Sequence, residues 1–231
     1  MLKAILFDLD DTLLWDEKSV QKTFEATCRY AMEKYDIHPE KLEERVRYHA
    51  DKLYQSYEIY PFTKMIGTGK FEAFWATYAD EGEGFAKLRE IVPTYRFQSW
   101  KKGLADLDID DDALAEELAE LFPVERKKHI YLYDETINVL EQLKDNYQLL
   151  MLTNGSSQLQ NEKLTLSPEL APYFDHIVIS GEFGQGKPSK EIFHHALNLL
   201  KVEKNSVVLY SKRVRKFERS ICLWQIQELL Q

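Results

Sequence analysis

The sequence predicts an α/β fold: a doubly wound, Rossmann-like parallel sheet with an all-helical cap inserted after its first strand. Three observations carry that prediction. Residues 4–7, Ala-Ile-Leu-Phe, are an apolar run without polar alternation that breaks into Asp8, Asp10 and Asp11, as a central strand covered on both faces would. Residues 16–127 carry helical periodicity and no convincing strand. From about residue 130 helix and strand patterns alternate, which argues for parallel βαβ units. Residues 1–15 and 128–231 are therefore expected to form the α/β core and residues 16–127 the helical cap.

Composition narrows the function classes. The chain has 231 residues, 44% hydrophobic and 30% charged, with a net charge of −9, so it has ample core and no basic surplus to bind nucleic acid. No apolar run approaches the ~18 residues needed to span a membrane. Residues 1–14 hold one lysine, a short apolar run and then aspartates, which does not read as a secretory signal. Cys28 and Cys222 are the two cysteines, too few for a disulfide framework. The expected setting is cytoplasmic.

Taken in order, residues 17–35 place Val20, Phe24, Thr27, Ala31 and Tyr35 at helical spacing, and residues 39–57 place Leu42, Val46, His49 and Leu53 on one face behind Pro39, a first-turn residue. Residues 61–70, with Gly67 and Gly69, read as turns. Helical signal returns at 71–78, 85–92 and 111–121, the last capped by Asp110. The joints of this insertion are expected near Trp15 and residues 122–130. Residues 135–145 are amphipathic, 148–152 form a buried strand ending in Thr153-Asn154-Gly155, and 177–180 form another ending in a glycine-rich loop with Lys187-Pro188. Ser189 can cap a helix over 190–200, and 207–210 is the fourth strand.

The chemistry collects at strand ends, where open α/β sheets bind ligands. Asp8, Asp10 and Thr12 form D-x-D-x-T, and alternation along an extended chain sends Asp8 and Asp10 to one side. Two such carboxylates about 4 Å apart repel by about 4 kcal/mol at an effective dielectric near 20, so the pair asks for a cation. One carboxylate can attack phosphorus while the other moves protons. Thr153-Asn154-Gly155 could cradle phosphate oxygens or cap a helix. Gly181 to Lys187 has P-loop spacing, but Pro188 stands where magnesium needs a hydroxyl, which excludes a nucleoside-triphosphatase. Lys187 can instead pair with Asp8 and a phosphoryl group.

D-x-D-x-T on strand one, hydrophobic-Thr153-Asn154-Gly155 on a later strand and Gly186-Lys187-Pro188 after the next, in that order, resemble the haloacid dehalogenase-like (HAD) hydrolases over residues 1–210. The helical insertion resembles the mobile cap of the phosphatase branch. The segment FDLDDTLLWDEKSVQKTF, together with the rest of the cap, is most similar to a bacterial group of phosphoserine phosphatases. The resemblance implies that Asp8 is the nucleophile forming an aspartyl-phosphate and Asp10 the acid that protonates the leaving alcohol and the base that activates water. It implies that Thr153 and the Asn154 amide, with Thr12 nearby, hold the phosphoryl group and that Lys187 neutralises charge. Magnesium, or another divalent cation in its place, would be held by the Asp8 side chain and the Asp10 backbone carbonyl. Asp10 speaks against the metal-free dehalogenase branch. The expected partner is a small phosphate ester such as O-phosphoserine; a 5'-nucleotidase-type phosphatase and a silent phosphate- or partner-binding homologue remain as alternatives.

The end of the chain departs from that pattern. The family carries an acidic pair after the fourth strand, whereas Tyr210 here is followed by Ser211-Lys212-Arg213. Residues 211–231 contribute +3 and residues 1–210 contribute −12. Residues 220–231 read as an amphipathic helix that supplies no fifth strand. The expectation is a truncated or frame-shifted end on a hydrolase, with a functional basic tail as the alternative.

Overall fold

In a computed structural model, which describes residues 1–211 and 222–225, the chain divides into two units. One comprises Met1–Asp16, Met65–Gly67 and the chain from Ile130 onward; the other comprises Glu17–Lys64 and Thr68–His129. The tripeptide 65–67, expected inside the helical insertion, groups with the α/β unit. The Ile66 carbonyl there accepts from the Gly155 N–H at 3.0 Å, and the Met65 carbonyl accepts from the Gly186 N–H at 2.8 Å.

The α/β unit is built on strands β1 (Ala4–Phe7), β2 (Gln148–Thr153), β3 (His176–Ile179), β4 (Val207–Ser211) and β5 (Cys222–Gln225), in the order β3-β2-β1-β4-β5. The first four are parallel. Every residue of β1 is buried, and its parity decides which face each side chain joins. Ala4 and Leu6 pack with Leu150, Leu152 and Leu209 against Ile192, Phe193 and Ala196. Ile5 and Phe7 pack with Leu149 and Met151 against Leu140 and Leu164. Apolar layers on both faces are what a run such as Ala-Ile-Leu-Phe requires. The register sets Phe7 opposite Met151 and Tyr210, so Asp8 leaves β1 beside the last residues of β2 and β4, which end at Thr153 and Ser211.

Strand β5 corrects one expectation. It pairs antiparallel with β4, Ser211 opposite Cys222 and Val208 opposite Gln225, where the sequence read as part of an amphipathic helix. Four residues of mixed apolar character cannot be assigned by periodicity alone, and the open edge of β4 supplies hydrogen-bond partners to a returning chain. Residues 212–221 and 226–231, on which the rest of the tail reading falls, lie outside the described residues.

The helical unit carries α1 (Asp16–Met32), α2 (Pro39–Ser56), α3 (Tyr60–Ile66), α4 (Glu83–Ala105) and α5 (Asp112–Lys128). Val20, Phe24, Thr27 and Ala31 are buried on α1. The Phe24 ring packs against Phe71 at 5.5 Å, Phe74 at 5.8 Å and Phe122 at 4.8 Å. On α2 the buried line is Leu42, Val46, Ala50 and Tyr54, not His49 and Leu53. His49 instead meets Asp106 at 2.8 Å. Residues 61–66, part of the 61–70 stretch expected as turns, are helical. Residues 71–78, expected as helix, are not, because Arg96 donates to the Ala73 and Ala76 carbonyls at 2.8 and 2.6 Å and takes the acceptors a helix would use. Helix α4 runs through Pro93 and α5 through Pro123. Burial of Tyr95, Trp100 and Leu104 beyond Pro93 outweighs the local penalty of about 3 kcal/mol. Asp111, one residue after the expected Asp110, caps α5; the helix extends to Lys128, and the division between the units falls at His129 and Ile130, inside the range 122–130 expected for a joint.

Among the described residues the α/β unit also carries α6 (Thr136–Leu143), α7 (Ser157–Thr165), α8 (Ser180–Phe183) and α9 (Lys190–Leu200), the last capped by Ser189 as its sequence indicates. Among the described residues no helix is long and apolar enough to cross a membrane.

Candidate active site

Strand β1 ends at Phe7, and the chain turns at residues 11–13. The Asp8 N–H still reaches the Tyr210 carbonyl of β4 at 3.1 Å, but the Leu9 carbonyl then accepts from Leu13 and Leu14 at 2.9 and 3.0 Å. Asp11 takes a positive φ of 54°. This turn includes Thr12, whose N–H also faces the Leu9 carbonyl at 3.3 Å. The ladder to β4 thus continues through the Asp8 N–H, and the turn falls at residues 11–13, after both Asp8 and Asp10.

Each aspartate has its own cation. Asp8, 6% exposed, receives Lys187 Nζ on Oδ1 at 2.7 Å, the Leu9 N–H on the same oxygen at 2.9 Å and the Ser211 hydroxyl on Oδ2 at 3.0 Å. Asp10, equally buried, receives Lys163 Nζ on both oxygens at 2.9 and 2.8 Å and Gln160 Nε2 on Oδ2 at 3.1 Å. The mutual repulsion that asked for a cation is thus met by two ammonium groups.

Lys163 is the residue that sequence reasoning missed. It lies on α7 with its side chain fully buried, on the same face as Leu159, Gln160 and Leu164. A lysine at the i+4 position from a buried leucine was the available signal, because a buried ammonium requires a counter-charge. Its partner, 153 positions away in sequence, could not be read locally.

The loop after β2 holds Thr153 and Asn154. Thr153 is fully buried, with its hydroxyl 3.5 Å from the Asn154 carbonyl. Ser156, rather than Thr153 or Asn154, caps α7 by accepting from the Leu159 N–H at 3.2 Å. The Asn154 carboxamide pairs with the Lys187 backbone in both directions, donating to its carbonyl at 2.9 Å and accepting from its N–H at 2.8 Å. Its side chain therefore fixes the loop that carries Lys187. Gly67 and Gly186 flank this carboxamide: a Cβ on either would come within 2.9 Å of it. Lys187 Nζ also donates to the Leu152 carbonyl at 2.6 Å. Gln160 Nε2 donates to the Asn154 carbonyl at 2.5 Å as well as to Asp10. One chain of contacts thus runs Asp8–Lys187–Asn154–Gln160–Asp10. The structure brings Asp8, Asp10, Asn154 and Lys187 into this network, with Thr153 adjoining Asn154 and Thr12 in the Asp10 turn.

The expected magnesium ligands, the Asp8 side chain and the Asp10 backbone carbonyl, do not by themselves fit that ion: they supply few of the six oxygens it seeks, and the charge of Asp8 is already matched by Lys187. Both Asp8 oxygens already accept, from Lys187 and the Leu9 N–H on one side and the Ser211 hydroxyl on the other. The charges of Asp8, Asp10, Lys163 and Lys187 cancel. No group of three or more His, Cys, Asp or Glu residues suited to a metal occurs among the described residues.

The chain matches the haloacid dehalogenase-like hydrolase family over residues 2–211. It is 33% identical over 196 residues to a phosphoserine phosphatase of Thermus thermophilus, covering 85% of this chain and 75% of the relative. It is 26% identical over 211 residues to human N-acylneuraminate-9-phosphatase, covering 90% and 73%. In three dimensions it resembles the HAD hydrolase YfnB of Bacillus subtilis, a structure bound to magnesium, with a TM-score of 0.55 at 20% identity over 90% of this chain and 78% of the other. That identity shows a shared fold.

Proposed function

Because the chain belongs to the haloacid dehalogenase-like hydrolase family, we propose that it is a phosphomonoesterase acting on a small phosphate ester, O-phosphoserine first, in the cytoplasm. The observation that carries the proposal is the Asp8 carboxylate at the end of the central strand with Lys187 at 2.7 Å: a buried nucleophile with a fixed cation beside it. The Thermus relative supports the choice of ester.

In the proposed reaction an Asp8 oxygen attacks phosphorus while the bond from phosphorus to the ester oxygen breaks. The leaving alkoxide takes a proton from the Asp10 carboxyl. Water then attacks the aspartyl-phosphate, gives its proton to Asp10 and releases inorganic phosphate, which restores Asp8. Lys187 offsets repulsion between a carboxylate and a phosphate dianion. Thr153 and the Asn154 amide are proposed as the phosphoryl-holding groups on the strength of the family pattern.

The test is phosphate release from O-phosphoserine, N-acylneuraminate 9-phosphate and a pyrimidine nucleoside monophosphate, each with and without magnesium. O-phosphoserine is expected to be turned over fastest, and Asp8→Asn is expected to abolish release, since an amide cannot form the acyl-phosphate. Turnover that survives in Asp8→Asn would overturn the mechanism. The balanced charges of the site favour a second reading, a homologue that binds phosphate without turnover; it predicts phosphate binding by the unaltered chain and no release from any ester.

A further inference from the structure

We propose that Lys163 and Gln160 are positioning residues for the Asp10 carboxyl, and that they act on the step in which the leaving group is protonated. The inference rests on the phosphomonoesterase reading and assigns residues that the motifs do not contain.

Three observations carry it. First, the Lys163 side chain has no exposed surface and meets an Asp10 side chain that is 8% exposed. A buried ion pair is a poor device for stability alone, since apolar residues of similar volume in its place are often neutral or stabilising. A lysine here is better explained by what it does to the carboxyl. Second, the geometry fixes orientation: Nζ bridges both oxygens at 2.9 and 2.8 Å, while Gln160 adds a contact to Oδ2 at 3.1 Å. Bridging from one side and a lateral donor together define the rotation of the carboxyl plane. Third, the helix that supplies both donors is itself indexed to the sheet. Helix α7 is capped at Ser156, three residues beyond the end of β2, and Gln160 is tied to the Asn154 carbonyl. The Asp10 carboxyl is thereby referenced to the same loop that holds Lys187.

Orientation of Asp10 matters only where a proton moves. Loss of it should slow esters whose leaving group must be protonated and spare those whose leaving group departs as a stable anion. O-phosphoserine releases an alkoxide; p-nitrophenyl phosphate releases a stabilised phenolate. The ratio kcat/KM reports the steps through the first phosphoryl transfer, so the shared second step does not enter the comparison.

The experiment compares kcat/KM for both esters in the unaltered chain, Lys163→Met and Gln160→Met, with folding followed by circular dichroism. Lys163→Met is expected to lose at least about 30-fold on O-phosphoserine and less than about 3-fold on p-nitrophenyl phosphate, within the range that general acid catalysis contributes. Gln160→Met is expected to show the same split with a smaller loss, and it carries the test if Lys163→Met does not fold. Equal losses on the two esters in a folded variant would overturn the inference and leave the phosphatase reading standing. Failure of the unaltered chain to hydrolyse either ester would overturn the phosphatase reading and the inference with it.

Discussion

Replacing Ser211 with aspartate should convert the candidate site into one that binds magnesium. The Ser211 hydroxyl lies 3.0 Å from Asp8 Oδ2, so a carboxylate at this position would stand beside that of Asp8. Two carboxylates about 4 Å apart repel by about 4 kcal/mol at an effective dielectric near 20. Lys187, 2.7 Å from the other Asp8 oxygen, offsets part of this. A metal-free loss of about 2 kcal/mol is expected, or roughly 4–8 °C in Tm for a chain of this size. The variant adds one negative charge to a set that now cancels, and a divalent cation between the carboxylates would relieve their repulsion. Magnesium affinity is therefore expected to rise at least about tenfold, equivalent to about 1.4 kcal/mol. Calorimetric titration with magnesium, and melting curves with and without it, measure both effects. The reasoning is refuted if the unaltered chain already binds magnesium as tightly as Ser211→Asp, or if the variant melts unchanged without the metal.

Lys163→Met alone should cost about 3–5 kcal/mol by leaving the Asp10 carboxylate buried without its ammonium, and Asp10→Leu in the same chain should recover most of the loss; urea denaturation of the single and double variants checks this, and a single-variant cost under about 1 kcal/mol would match an exposed pair instead. Gly181→Ala should destabilise by about 1–3 kcal/mol, because its Cβ would stand 2.6 Å from the Gly155 carbonyl and 2.9 Å from the Ser157 N–H, both backbone; an unchanged denaturation midpoint would contradict that close approach. Cys28 is buried, and burial together with Glu43 pushes its thiol well above the ordinary value, so it stays protonated at neutral pH and its peptide should remain unmodified by iodoacetamide in the folded chain. Mass mapping after native alkylation reads this directly.

The sequence by itself determined the frame of the α/β unit. Ala4 to Phe7, the run 149–152 and the run 207–210 are continuous apolar stretches because parallel strands are buried on both faces, and that burial leaves its mark locally. The same locality marks Asp8, since polar residues directly after such runs fall at strand ends. Caps such as Ser189 were legible for the same reason: a cap is a contact between near neighbours in sequence.

Tertiary structure decided what depends on distant partners. Residues 71–78 have helical spacing, yet Arg96 takes their carbonyls; the side-chain carboxamide of Asn154, whose partner no local pattern indicates, closes on the Lys187 backbone. Strand β5 exists as a partner for the edge of β4. The ammonium that meets Asp10 came from α7, in the form of Lys163, which the sequence did not single out. Periodicity states which side chains go inside, because that is set by one element's own geometry. Which charge then faces which is set by how elements 153 residues apart come together, because a buried carboxylate is stabilised by whatever donor the packing brings within hydrogen-bond reach.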